Sequence, residues 1–457
     1  MRYLVVVDGE HYPPVIEAAL RQVVEEGNEV LGGIVAGGTE KLPSGGRIEI
    51  EGVEMRAGDD PRTVLYEAIS EFGPDGVLDL SDEPVLDYRR RHELISVALY
   101  QGVRYDGADF GFSPPSRPKI ATAPTLSIIG TGKRTGKTAV AGFAARALKE
   151  EGYRPGIVAM GRGGPAEPET IDGEEIDLTP QDLLALADSG KHAASDYIED
   201  ALLGRVPTVG CRRCGGGLAG GVQISNVPQG VKKMNDLNRD LVILEGSGSA
   251  IPPVHADATT LVIPAGVPIE YLIGYLGPYR LLLADSVIVT MCENPFGSSS
   301  QIASIVSHVH DAWRPTRGQR APEDEIQVVR TVFRPTPVRP IEGASAFVAT
   351  TAPQAAAKAI KRHLEKEHGC RVVGMSHSLS DRAKLEGDLA KAKGEAEVLL
   401  CEIKAAGIDV ATRQALEEGM EVVYMDNVPQ GIEGDDPVEA VKRAARLATE
   451  RFGNENS

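Results

Sequence analysis

The chain has 457 residues, 42% of them hydrophobic and 25% charged, which is the profile of a globular protein with material for two or three cores. Its formal net charge of −18 argues against non-specific binding to nucleic acid or to an anionic membrane, but leaves room for an anionic substrate held by a local arginine cluster. Five scattered cysteines are not a disulfide framework, and the chain lacks the run of about 18 apolar residues that a membrane span requires.

The chain opens directly into a strand at Tyr3–Val7 with no signal-peptide pattern, so a cytoplasmic location is expected. A helix over Pro14–Glu26 and a strand over Leu31–Val35, ending at Gly37-Gly38-Thr39, follow. Residues 47–56 alternate like a hairpin, Pro61–Phe72 is helical in period, Gly76–Leu80 is a strand, and a helix covers Glu93–Gln101. Ser113-Pro-Pro-Ser-Arg-Pro reads as a linker, giving a first α/β domain at residues 1–120.

The second domain, residues 121–325, has strands at Leu126–Ile129, Pro155–Met160, Leu241–Leu244, Thr260–Pro264 and Ser286–Met291. Alternation of strands and helices predicts a mostly parallel sheet covered on both faces. Residues 161–240 are too long for a connection and read as an insertion; residues 314–324 read as a polar linker. The third, smaller α/β domain covers 326–457, with strands at Phe347–Thr350, Arg371–Ser376, Glu397–Ile403 and Glu421–Met425 and helices at 353–367, 381–393 and 437–451. The fold class expected is therefore α/β, a central nucleotide-binding core flanked by an N-terminal and a smaller C-terminal α/β domain.

The chemistry concentrates at residues 128–138, Ile-Ile-Gly-Thr-Gly-Lys-Arg-Thr-Gly-Lys-Thr, between a strand and a helix. This is a phosphate-binding loop: Gly130, Thr131, Gly132, Lys133, Arg134, Thr135, Gly136, Lys137 and Thr138 would surround a nucleotide's phosphates. Glycines let backbone N–H groups converge on phosphate oxygens, and the helix N-terminus adds positive partial charge. Lys137 would reach the terminal phosphates, and the Thr138 hydroxyl would hold Mg²⁺. The strict pattern places Gly where Thr131 stands, and the variant resembles the loops of dethiobiotin synthetases and deviant-Walker proteins, some of which carry an additional lysine, here Lys133.

Glu245, closing the apolar strand Asp240-Leu-Val-Ile-Leu and followed by Gly-Ser-Gly, is the second candidate ligand for Mg²⁺. Arg162, set among glycines after another strand, offers a planar donor fork to an anion; a plain structural turn is the rival reading. Cys211-Arg212-Arg213-Cys214 with its glycine run supplies half a zinc site at most, so Arg212 and Arg213 on a flexible loop that folds over a polyanion are the preferred reading. Lys191 and His192 are weaker candidates for the same site. His308 and His310 read as structural; His363 and His368 have a finger-like spacing but lie on an expected helix of a different domain from Cys211 and Cys214. Asp8–Tyr12 and Asp79–Glu83 are either a second wall of the site or helix caps. In the last domain, Lys404 is the best candidate for a substrate contact.

Together the phosphate loop, Glu245-Gly-Ser-Gly, Gly161-Arg-Gly-Gly and Cys211-Arg-Arg-Cys-Gly-Gly-Gly resemble the cyclic 2,3-diphosphoglycerate synthetase family, and the likeness runs from Val5-Val-Val-Asp-Gly-Glu-His-Tyr-Pro to Asp426-Asn-Val-Pro. The resemblance implies ATP- and Mg²⁺-dependent closure of 2,3-bisphosphoglycerate into an intramolecular anhydride, with release of ADP and phosphate. Lys137, Lys133, Arg162, Arg212 and Arg213 would then be the catalytic groups, and Thr138 and Glu245 the metal ligands. Another phosphate-loop ligase or small-molecule kinase, or a nucleotide-driven switch protein, is the alternative. No nucleic-acid or membrane partner is expected, and the sequence is compatible with a monomer or a homodimer.

Overall fold

The computed structural model describes residues 1–38, 47–190, 192–316 and 325–455. Thr39, Lys191 and most of the linker read at 314–324 lie outside them; the linker's first residues, Arg314–Thr316, form a 3-10 turn with Pro315 and Thr316 buried.

Among the described residues the strands form two sheets. The first takes β1 (Arg2–Val7), β2 (Glu29–Val35), β3 (Arg47–Ile50), β4 (Val53–Arg56), β5 (Gly76–Asp79), β6 (Arg104–Asp106) and β7 (Gly111–Phe112) in the order β3-β4-β2-β1-β5-β6-β7. The hairpin read at 47–56 is present, with β3 antiparallel to β4. The helix after β5 spans Tyr88–Tyr100, five residues earlier than its expected start, because the Asp87 side chain caps it by accepting from the Arg90 N–H at 2.9 Å. Residues 113–121 then run without helix or strand.

The second sheet takes β8 (Thr125–Gly130), β9 (Pro155–Gly161), β10 (Glu169–Asp172), β11 (Pro207–Cys214), β12 (Ile224–Ser225), β13 (Leu241–Glu245), β14 (Ala258–Pro264), β15 (Ser286–Thr290), β16 (Gln327–Pro337), β17 (Ser345–Ala349), β18 (Arg371–Ser376), β19 (Val398–Glu402) and β20 (Glu421–Gly431). Their order is β10-β11-β9-β13-β8-β14-β15-β16-β20-β19-β17-β18, with β12 paired to β11. The run from β11 to β15 is parallel, and within it β8, β9, β13, β14 and β15 read as apolar stretches because helices cover both faces. Leu126, Ile128, Ile157, Ala159 and Ile243 pack on one side with helix Lys137–Glu150, while Val158, Met160, Val242 and Leu244 pack on the other with helix Val227–Asn235.

The central and C-terminal units share this sheet. The first half of β16 pairs in parallel with β15, and its second half pairs antiparallel with β20. Residues 161–240 contribute β10, β11 and β12 to it, together with helices Pro180–Asp188, Asp196–Gly204 and Val227–Asn235.

Candidate functional site: a phosphate loop beside paired arginines

β8 is buried along its length and delivers the chain to Thr131, after which residues 131–136 turn into helix Lys137–Glu150. Gly136 caps that helix at φ 93°, where the Phe333 ring of β16 leaves no room: an added Cβ would lie 2.4 Å from it. The loop is pinned from the next strands, since the Thr290 hydroxyl donates to the Thr135 carbonyl at 2.9 Å. Lys137 is buried, and its Nζ donates to the Gly132 carbonyl at 2.8 Å and approaches Thr135 Oγ1 at 3.3 Å. Burial lowers its pKa; the charges of Glu245 and Asp196 oppose that shift, while those of Arg162 and Arg213 add to it. Lys133 and Arg134 are exposed at the tip of the loop.

β13 lies between β8 and β9, with Glu245 in register with Ile128 and Ala159, so the strand order itself brings this carboxylate to the loop. The Thr138 hydroxyl donates to Glu245 Oε1 at 2.8 Å. Glu245 Oε2 is buried without a partner among the described residues. A hydroxyl and a carboxylate with an unmatched oxygen are hard oxygen donors that fit Mg²⁺, which needs one or two protein oxygens and takes the rest from phosphates and water. Burial, then the Asp196 charge, push the Glu245 carboxyl up to about 8, against the pull of Thr138, Asp200 and Lys137.

Arg162 follows directly on β9, and Arg213 lies within β11, the neighbouring parallel strand. Both reach over the turn after Glu245: a Cβ added at Gly248 (φ 61°) would stand 2.9 Å from Arg162 Nη2 and 3.2 Å from Arg213 Nη2. Arg213 Nη2 donates to the Ser247 carbonyl at 2.7 Å, and its Nε is buried without a partner among the described residues. Burial and then the like charge of Arg162 depress the Arg213 pKa. Arg280, 7% exposed, holds the surrounding turns by donating to the Ser249, Leu218 and Leu276 carbonyls at 2.9 to 3.2 Å.

The flexible loop expected around Arg212 and Arg213 is instead the end of a strand. Arg212 is anchored through its backbone, the N–H donating to Asn226 Oδ1 at 2.6 Å and the carbonyl accepting from Ser225 Oγ at 3.1 Å. Successive residues point oppositely, so Arg213 turns toward Ser247 while the Arg212 side chain is exposed. Cys211 is buried, Cys214 is exposed, and no group of three or more His, Cys, Asp or Glu suited to a metal occurs among the described residues.

His192 is exposed, its ring beside the position of a Cβ on Gly163. Lys404 does not face the loop as a free cation; its Nζ is paired with Glu199 at 2.8 and 3.1 Å. Asp8 serves its own turn and that of β5, accepting from Glu10, His11 and Asp82 N–H groups at 2.8 to 3.1 Å, and Asp79 is bonded to Ser81, Arg91 and Tyr105. A cavity of about 870 Å³ lies away from the loop, between Leu202–Arg205 and β20; its Arg205 and Arg339 are already paired with Asp177 and Glu421. Asp196, Asp200 and Phe333 were not singled out from the sequence. Asp196 and Asp200 stand four apart on one helix, a spacing that sets both on one face.

A doubly covered parallel sheet with a glycine-rich loop, a lysine and a strand-end carboxylate defines a P-loop nucleotide-binding protein. Three family models match successive parts of the chain: the N-terminal domain (residues 2–113), the P-loop domain (125–316) and the C-terminal domain (337–428) of cyclic 2,3-diphosphoglycerate synthetase. The chain is 46% identical over 431 residues to a cyclic 2,3-diphosphoglycerate synthetase of Methanothermobacter thermautotrophicus, covering 93% of this chain and 91% of that one. It is 44% identical over 451 residues to a protein of the same name from Rubrobacter xylanophilus, covering 98% of each. The chain belongs to the cyclic 2,3-diphosphoglycerate synthetase family. A solved structure, the signal recognition particle receptor FtsY from Elizabethkingia anophelis, overlays with a TM-score of 0.24 at 13% identity, over 59% of this chain and 71% of that one, and carries no argument. No helix of the described residues is long and apolar enough to cross a membrane.

Proposed function

We propose that this chain closes 2,3-bisphosphoglycerate into cyclic 2,3-diphosphoglycerate, using ATP and Mg²⁺ and releasing ADP and phosphate. The observation that carries this reading is the convergence of Arg162 and Arg213 on Gly248, beside the Lys137 loop. One nucleotide gives Lys137 its anion; two further guanidinium groups call for a second, densely charged substrate.

The reaction has two phosphoryl transfers. An oxygen of one substrate phosphate attacks the γ-phosphorus of ATP, and ADP leaves. An oxygen of the other substrate phosphate then attacks the substrate phosphorus so activated, the bond to the transferred phosphoryl breaks, and inorganic phosphate leaves. Both steps press anions together, so charge neutralisation and in-line placement matter more than proton transfer. Lys137 neutralises the terminal phosphates from beneath, and Arg162 and Arg213 hold the substrate phosphates against them. Arg212 and Lys133 add positive charge at the rim. Thr138 and Glu245 would hold Mg²⁺, which supplies further charge stabilisation on the phosphates.

ADP release measured with 2,3-bisphosphoglycerate, with a monophosphoglycerate and with neither tests this reading. Turnover confined to the bisphosphate is expected. Equal turnover in all three would overturn it, as would turnover awakened only by a protein partner.

A further inference from the structure

Asp200 is an aspartate on helix Asp196–Gly204, whose Tyr197, Ile198, Ala201 and Leu202 are also buried. It is 0% exposed, and neither of its carboxylate oxygens has a hydrogen-bond donor among the described residues. It lies within hydrogen-bonding reach of Glu245, whose Oε2 is likewise unmatched while Oε1 accepts from Thr138. Three buried carboxylate oxygens without donors thus meet beside the hydroxyl that ends the phosphate loop. Burying such groups without a positive partner is costly, and Lys137 is committed to its own loop.

We propose that Asp200 is a further protein ligand of the divalent cation, completing with Thr138 and Glu245 an oxygen-only set. This rests on the reading of the loop as a site for a metal-bound nucleotide. Two carboxylates and a hydroxyl leave positions for phosphate oxygens and water, as a small hard cation requires, whereas a cage of protein ligands alone would not. The fold supports the assignment. Helix Asp196–Gly204 packs against the helix that begins at Lys137, and Glu199, the residue before Asp200, is fastened by Lys404 of the C-terminal unit. The carboxylate is therefore held from two sides rather than borne on a loop, with Lys404 acting on it through Glu199.

The test uses Mn²⁺ as the probe, with ADP and the full-length protein, and reads free Mn²⁺ by electron paramagnetic resonance. Wild type should bind Mn²⁺ more tightly than ADP alone does, and Asp200→Asn and Glu245→Gln should each weaken that binding about tenfold or more. Mn²⁺ affinity within twofold of wild type in Asp200→Asn, with Glu245→Gln impaired, overturns the role of Asp200 and leaves the nucleotide site standing. Wild type that binds Mn²⁺ no better than ADP alone overturns both. A second readout needs no variant: Fe²⁺ bound with ADP and given ascorbate and peroxide should cut the backbone around residue 200 as well as around residue 245. Cuts at 245 alone overturn the proposal even if Asp200→Asn fails to fold.

Discussion

Buried and bonded back to the Gly132 carbonyl, Lys137 is where the loop's charge and its geometry meet. Lys137→Ala should abolish turnover yet melt as a folded protein, since it removes a buried cation rather than packing; retained turnover would mean the loop has another task. Arg213→Ala should lower kcat/KM for the bisphosphate roughly a hundredfold, about 3 kcal/mol of transition-state stabilisation, while leaving nucleotide affinity near wild type. A loss of nucleotide affinity instead would place Arg213 on ATP. Glu245 makes a prediction about pH. Its folded-state carboxyl is raised from 4.5 to about 8 by burial first, so the folded protein holds a proton that the unfolded chain releases. That contribution to stability is present at low pH and is lost as pH rises across this window. In metal-free buffer the Tm of Glu245→Gln minus that of wild type should therefore grow between about pH 4.5 and about pH 8; a constant difference contradicts the burial argument.

At the scale of elements, helix Asp196–Gly204 is tied to the C-terminal unit by Lys404 and Glu199, and Lys404→Ala leaves Glu199 without its cation. Because Lys404 is partly exposed, the expected loss is on the order of 1 kcal/mol, read from urea melts with an unchanged m-value. The apolar strands β8, β9, β13, β14 and β15 are legible in the sequence because burial on both faces makes them continuous hydrophobic runs. β11 and β16 are not. Pro207 and Gly210 and two arginines interrupt the first, and two prolines and two arginines interrupt the second, so neither shows a strand period. Arg213 donates to Ser247 and β16 bridges β15 and β20, long-range contacts that local pattern does not report. Lys137, Thr138 and Glu245 could be found because a contiguous motif and a strand end mark them. Asp200 could not, since it is brought to Glu245 by a helix packed across 45 residues of intervening chain; the only trace is an aspartate four residues after Asp196, on the same helix face.

On the scale of the whole molecule, three α/β units are expected from the sequence, while the sheet that joins the last two is not. β16 carries the sheet from the central unit into the C-terminal one, and Phe333 on that strand packs against Gly136 of the phosphate loop. Cutting the chain at residue 325 would leave β15 as an open edge and uncover Gly136. Scanning calorimetry should accordingly show the central and C-terminal units melting in one transition; two well-separated transitions for them would contradict a shared core. The same continuity holds the phosphate loop against the C-terminal unit through Phe333. What the site does is tested most directly by ³¹P NMR of the purified protein with ATP, Mg²⁺ and 2,3-bisphosphoglycerate. Pyrophosphate-type resonances should appear from the organic substrate, with ADP and inorganic phosphate in equal amounts. ADP and phosphate formed while the organic phosphates stay unchanged would contradict the account.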